Sequence, residues 1–151
     1  MAISLCEVSI SGSSLSQPEP GWEASSGAMV DFWGVVRREE NGDAIEGLDY
    51  EANHPMAQHQ LNLIAQSAAK DFKLTQVILR HRIGFVRAGE PSLFLRVAAP
   101  RRNGAFAASQ WIVEELKRCV PIWKRPIFAV PTGALDRHKE TAREESSHSL
   151  A

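Results

Sequence analysis

A chain of 151 residues with 44% hydrophobic side chains carries enough apolar material to bury the core of one ordinary globular domain, so one domain is expected. Its 17 basic and 18 acidic side chains nearly cancel, which leaves no global field to draw the whole protein onto nucleic acid or an anionic membrane, and any anion site must be local. Cys6 and Cys119 show no Cys-x-x-Cys spacing, the N-terminal MAISLCEVSI lacks the basic and apolar regions of a secretion signal, and no stretch approaches the roughly 20 apolar residues of a membrane span; a disulfide scaffold, a zinc site and membrane insertion are disfavoured, and a reducing cytoplasm is expected.

Residues 3–10 alternate weakly, with Cys6, Val8 and Ile10 to one side, and predict a short strand that runs into the Ser/Gly/Pro-rich SGSSLSQPEPG. AMVDFWGVVR at 28–37 is apolar, β-branched and aromatic, too short and too poorly capped for a helix. It predicts a largely buried strand in which Gly34 marks a bulge or a close approach. Asn41-Gly42 readily takes positive φ, and Leu48, Tyr50 and Ala52 alternate beyond it, so a hairpin is expected here. Asn53-His54-Pro55 then opens a helix to about Phe72, with Leu61, Ile64, Ala65, Ala68 and Phe72 on one face and Pro55 in the first turn.

Residues 74–83 and 92–99 alternate on either side of the turn-like RAGEP and predict a second hairpin. From Gly104, Ala105, Ala108, Ile112, Val113, Leu116 and Cys119 recur at helical spacing until Pro121 forbids continuation. Beyond Phe128 the chain turns polar. The expected division is one domain over 1–135 and a polar tail over 136–151 that a partner would have to order. Hairpins mixed with two helices, without strict alternation, predict an α+β domain with mostly antiparallel pairing.

The basic residues cluster at element ends: Arg37-Arg38, Arg80 and Arg82 flanking His81, Arg101-Arg102, Lys117-Arg118 and Lys124-Arg125. Gathered by folding, they would make a cationic pocket in which arginine forks orient a phosphate or carboxylate; left apart, they are a solvated surface. Lys117 lies four residues after Val113 and three before Val120, at the border of the helix's apolar stripe. Partial desolvation would fit it for proton transfer or nucleophilic attack, and a snorkelling stem over the core is the plainer alternative. Lys124 follows Pro121-Ile122-Trp123, whose rings would fix the backbone and exclude water, or would leave it an ordinary surface lysine. The histidines show no metal-ligand spacing, His81 reads as structural, and no Gly-x-Ser-x-Gly elbow, phosphate loop or dinucleotide fingerprint occurs. No metal and no cofactor are expected, and a single tyrosine with near-neutral charge disfavours nucleic acid.

Taken in order over residues 28–128, DFWGVVR (31–37), LDYEANHPMA (48–57), HRIG (81–84) and LKRCVPIWK (116–124) resemble the large subunit of molybdopterin synthase, the MoaE family, the last run being the most specific. The resemblance implies an α/β hammerhead domain with an additional antiparallel β subdomain. It also implies a homodimer within a heterotetramer, each protomer binding a small ubiquitin-like sulfur-carrier subunit that inserts its C-terminal Gly-Gly thiocarboxylate. Sulfur then passes to cyclic pyranopterin monophosphate, and two rounds build the dithiolene of molybdopterin. The family's two lysines fall on Lys117 and Lys124, its strand-end arginine on Arg37, its tail arginine, contributed across the dimer, on Arg143, and the arginine of its His-Arg pair on Arg102.

Arg101 stands where that pair has its histidine, and Arg125 joins Arg37, Arg101, Arg102 and Arg143 as an expected substrate-binding cation. Where the family has Trp-Lys-x-Glu, this chain has Trp123-Lys124-Arg125-Pro126, without the carboxylate, and a downstream tryptophan of the family is also absent. In this reading Lys117 serves the carrier's carboxyl end and Lys124 acts as acid or base. A non-catalytic pterin-phosphate or carrier-binding paralogue is the alternative, followed by a small nucleic-acid-binding module using the same basic pairs.

Overall fold

In a computed structural model, which describes residues 5–129 and 149–150, the chain runs β1 (Leu5–Ser11), β2 (Ala28–Val35), β3 (Glu39–Glu40), β4 (Asp43–Ala52), α1 (His54–Asp71), β5 (Gln76–Arg82), β6 (Gly84–Arg87), β7 (Pro91–Ala99), α2 (Arg102–Cys119), β8 (Ile122–Phe128) and β9 (Ser149–Leu150). One sheet has the order β1-β5-β7-β2, and the other β3-β4-β8-β9 with β6 also paired to β4. Only the β1–β5 pairing is parallel among the described strands, so the architecture is the expected α+β with an added antiparallel sheet.

Both helices cover one face of the first sheet, α1 against β1 and β5, α2 against β7 and β2. Leu61, Ala65 and Ala68 of α1 and Ala105, Ala108 and Ile112 of α2 are fully buried, at the three- and four-residue spacing of one helix face. Val77, Leu79, Leu95 and Val97 meet them from the sheet at the two-residue spacing of one strand face. Asn53 caps α1 by accepting the Met56 N–H through Oδ1 at 3.3 Å, and Pro55 occupies the first turn, where a missing N–H costs nothing.

The β3–β4 hairpin forms as the sequence predicts: Asn41 and Gly42 take φ of 53° and 84°, the left-handed pair of a tight two-residue turn. The bulge at Gly34 is also present, with the register against β7 shifting between Gly34 and Val35. Three expectations change. First, β2 is the outer strand of its sheet and only half-buried, with Phe32 and Val35 exposed, because it has a neighbour on one side only. Second, β5 and β7 do pair, but the chain between them leaves the first sheet as β6 and joins β4. That contact is close enough to require Gly47, whose added Cβ would collide with the Val86 carbonyl and the Phe85 ring. Third, the segment after Pro121 is a strand, β8, antiparallel to β4. The backbone of Ser149–Leu150 adds to β8 as β9, while the rest of the expected tail lies outside the described residues.

On the sheet face away from the helices, Arg96 is 2% exposed and forks onto its cross-strand neighbour Asp31, with Nε donating to Oδ1 at 2.7 Å and Nη2 to Oδ2 at 2.8 Å. Nη1 donates to the carbonyls of Glu19 (2.8 Å) and Pro18 (3.2 Å), which ties the Ser/Gly/Pro-rich loop down over the sheet. The hydrogen bond from Arg96 holds the Asp31 carboxyl below the usual range, ahead of the opposing effect of burial. Asp31→Ala leaves this guanidinium buried without its counter-charge and is expected to cost about 3 kcal/mol; a loss below about 1 kcal/mol in chemical denaturation, the size of an exposed pair, would show that the clamp is not structural.

Candidate active site

Pro121 has no N–H for a helical bond, so α2 ends with Val120 extended (φ -87°, ψ 130°) and its N–H donated to Leu116 O. The chain then enters β8, where the two-residue alternation puts Ile122, Lys124 and Pro126 on one face and Trp123 and Arg125 on the other. Lys124 pairs across to Tyr50 of β4. Lys117, in the last turn of α2, and Lys124 thereby line the same cleft of about 360 Å³. Exposed Arg37 also lines it, from beyond the Gly34 bulge, where Val36 is anchored by its N–H to Glu90 O (3.0 Å) and by its carbonyl to the Gly89 N–H (2.8 Å).

The buried lining of this cleft mixes apolar Val36, Leu48, Leu93 and Leu116 with polar but uncharged floor groups. Tyr50 Oη and Ser92 Oγ share a hydrogen bond of 3.0 Å, and the His81 ring stands edge-on to Tyr50 at 5.2 Å. His81 Nδ1 lies 2.8 Å from the Arg82 carbonyl, which can only accept, so Nδ1 carries the proton of the neutral ring. Burial pushes the His81 pKa down to about 4, against a smaller opposing effect of that carbonyl, and His81 is neutral at physiological pH. The Tyr50 phenol is pushed up, chiefly by burial and further by the negative charge of Glu40, with the Ser92 hydrogen bond opposing.

Glu40 itself enters the cleft with Oε1 3.8 Å from Lys124 Nζ, a residue that sequence reasoning missed. Three cations against one carboxylate leave the described lining with a formal excess of two positive charges. Of these cations Arg37 and Lys117 are exposed, and only Lys124 is largely withdrawn from water. Of the two states the sequence leaves open for Lys117, partial desolvation and a snorkelling stem with its ammonium in water, its exposure favours the second. Trp123 is 47% exposed on the far face of β8 and does not cover Lys124.

The remaining expected site residues lie elsewhere in a single chain. Arg101 and Arg102 border a separate depression with Gly27, Pro100 and Asn103, at the N-terminal end of α2. At about 1.5 Å of rise per residue, Arg102 sits roughly 22 Å along the helix from Lys117. Arg125 points away from Lys124 and pairs with Asp49 Oδ2 at 3.4 Å. Arg143 lies outside the described residues. Among the described residues no group of His, Cys, Asp and Glu could hold a metal ion, and no helix is long and apolar enough to cross a membrane.

Fold and cleft together define an α+β domain whose described cleft carries a net positive charge, with one lysine on each side of a helix-ending proline. Residues 9–119 match the family model described as MoaE protein, a span that includes Lys117 and ends before Lys124. The chain is 39% identical over 104 residues to the molybdopterin synthase catalytic subunit of Pyrococcus abyssi, covering 69% of this chain and 70% of that one. It superposes on molybdopterin synthase from Staphylococcus aureus with a TM-score of 0.68 at 31% identity, over 75% of this chain and 85% of that one. A complex of subunits 1 and 2 of molybdopterin-converting factor from Helicobacter pylori shares the fold at a TM-score of 0.58 and 24% identity, over 78% of this chain and 81% of that one. The chain belongs to the MoaE family, whose members are enzymes of molybdenum cofactor biosynthesis.

The buried imidazole makes stability pH-dependent. Unfolded, His81 takes up its proton near the ordinary histidine value of 6.5; folded, at about pH 4, so between these values the unfolded state binds more protons. Stability is complete above the upper value and falls as pH drops through the window, by up to about 3 kcal/mol. Melting temperature should decline already between pH 6.5 and 5, above the usual range of carboxylates, and His81→Gln should flatten that decline; equal slopes in the two proteins would exclude His81 as the cause.

Proposed function

We propose that this cleft brings together the C-terminal thiocarboxylate of a small ubiquitin-like carrier subunit and cyclic pyranopterin monophosphate, and that sulfur passes from the first to the second to build the dithiolene of molybdopterin. The observation that carries the reading is the meeting of Arg37, Lys117 and Lys124 in one cleft. Both reactants are anions, and their mutual repulsion must be offset by fixed positive charge in a confined site. A volume of about 360 Å³ suits a small heterocyclic ligand.

In this reading the planar fork of Arg37 orients the phosphate at the rim. Lys117 steadies the carrier's carboxyl end and the charge that develops there, and Lys124, deeper and closer to the floor, exchanges the proton. Neutral Tyr50, Ser92 and His81 offer hydrogen-bonding groups to the pterin ring without adding charge. The Helicobacter pylori assembly of two subunits supports a small-subunit partner, and a homodimer within a heterotetramer would let Arg101, Arg102 and Arg143 of a second copy complete the anion site. The expected setting is the cytoplasm, with residues 1–135 acting as one domain.

A non-catalytic carrier- or pterin-binding paralogue is the second reading, favoured by Arg101 and Pro126 at positions where the family has a histidine and a carboxylate. Reconstitution with thiocarboxylated carrier and pterin precursor separates the two, since only the enzyme makes dithiolene. Because Lys117 is exposed, Lys117→Ala should leave melting unchanged and reduce sulfur transfer by roughly 100-fold or more, the scale of a lost charge-stabilising or proton-transferring group. Near-normal turnover by that variant would refute the assignment.

A further inference from the structure

Glu40 has a place in the cleft that its charge alone does not explain. The tight turn at Asn41-Gly42 fixes Glu40 opposite Asp43, so that Glu40 turns inward while Glu39 stays exposed. The Glu40 and Lys124 side chains are 17% and 22% exposed, so their interaction is partly shielded from solvent. Among the described residues lining the cleft Glu40 is the one carboxylate. A negative charge opposes the binding of anions, so affinity for such substrates is not what it contributes. On β8 the next residue on the same face as Lys124 is Pro126, whose side chain has no hydrogen-bonding group, so the strand itself supplies no side-chain acceptor there to orient the ammonium.

Building on the reading of Lys124 above, we infer that Glu40 is a positioning residue that acts through Lys124, holding its ammonium in the cleft at the expense of substrate affinity. The separation of 3.8 Å is longer than a hydrogen bond, so the pair is an electrostatic tether that leaves the three ammonium N–H groups free for reactants. The tether comes from the β3–β4 hairpin, whereas the lysine it holds is carried on β8. Lys124 is thereby fixed from two directions, by the backbone pairing of β8 with β4 and by a charge carried on β3.

The test is kinetics of the full chain with thiocarboxylated carrier and pterin precursor, followed also in single turnovers so that slow variants remain measurable. Glu40→Gln keeps the shape and removes the charge: kcat should fall about tenfold or more, while KM for the pterin monophosphate falls instead of rising, because a like charge has left the site. Glu40→Asp should recover part of kcat. Glu40→Gln combined with Lys124→Gln should be no slower than Lys124→Gln alone, since one group acts through the other. A merely structural carboxylate would leave kcat unchanged or raise KM together with a lower melting temperature, and either result overturns the tether. Normal turnover by Lys124→Gln sinks the reading of Lys124 and the tether with it; an inactive Lys124→Gln beside a fully active Glu40→Gln sinks the tether alone.

Discussion

The cleft depends on a proline that refuses to be helical. Were α2 to continue past Cys119, Lys124 would lie seven residues beyond Lys117, two turns further along the same helix face and roughly 10 Å away. Instead the pyrrolidine ring ends the helix, and the chain is pinned on both sides of it by Val120 and Ile122, each 1% exposed. Asn53, which also caps α1, donates its N–H to the Pro121 carbonyl at 3.3 Å, so the start of one helix and the end of the other share a junction. From that junction β8 runs back along β4, and two lysines that would have formed a row become two walls of one cavity.

Charge in the cavity is graded by depth. The floor groups, Tyr50, Ser92 and His81, are buried and neutral, so they incur no cost of ion desolvation. Lys124 is partly withdrawn and has a counter-charge, while Arg37 and Lys117, with no ion pair to a described residue, stay in water. Cations that remain hydrated until a ligand arrives are cheap to keep in the empty protein and strong when an anion displaces the water. The same accounting governs the distant Arg96, the one guanidinium that is fully buried among the described residues. Each of its nitrogens has a carboxylate or carbonyl partner, and it serves the fold instead of a ligand.

Much of this was legible in the residues. Helices with one buried face announce themselves by spacing, as Leu61, Ala65 and Ala68 do, and Asn41-Gly42 carries its turn in two residues. The strands β6 and β8 were not legible, because their identity lies in their partner β4. Phe85 of β6 and Trp123 of β8 face outward and Lys124 turns in beside Ile122, which breaks a simple apolar-in alternation, and Pro126 disguises the second strand further. Resemblance and element ends together pointed to Arg37, Lys117 and Lys124. Basic pairs alone could not tell that Arg101 and Arg102 sit at the other end of α2 from Lys117 within one chain, or that Arg125 faces away. Glu40 was invisible because Glu39 and Glu40 are equivalent until the hairpin register separates them.

The irregularity at Gly34 and Val35 bears on how this chain can vary in length. It sets the phase in which the next residues alternate: Val36 is 3% exposed beneath the rim, and Arg37 stands above it. Deleting one residue upstream, between Ala28 and Val35, would exchange those directions, driving a guanidinium toward the core and a methyl-bearing side chain into the cleft. Length changes compatible with function are thus confined to places where phase is reset, such as the loop ahead of β2, and strand β2 itself tolerates none of odd size.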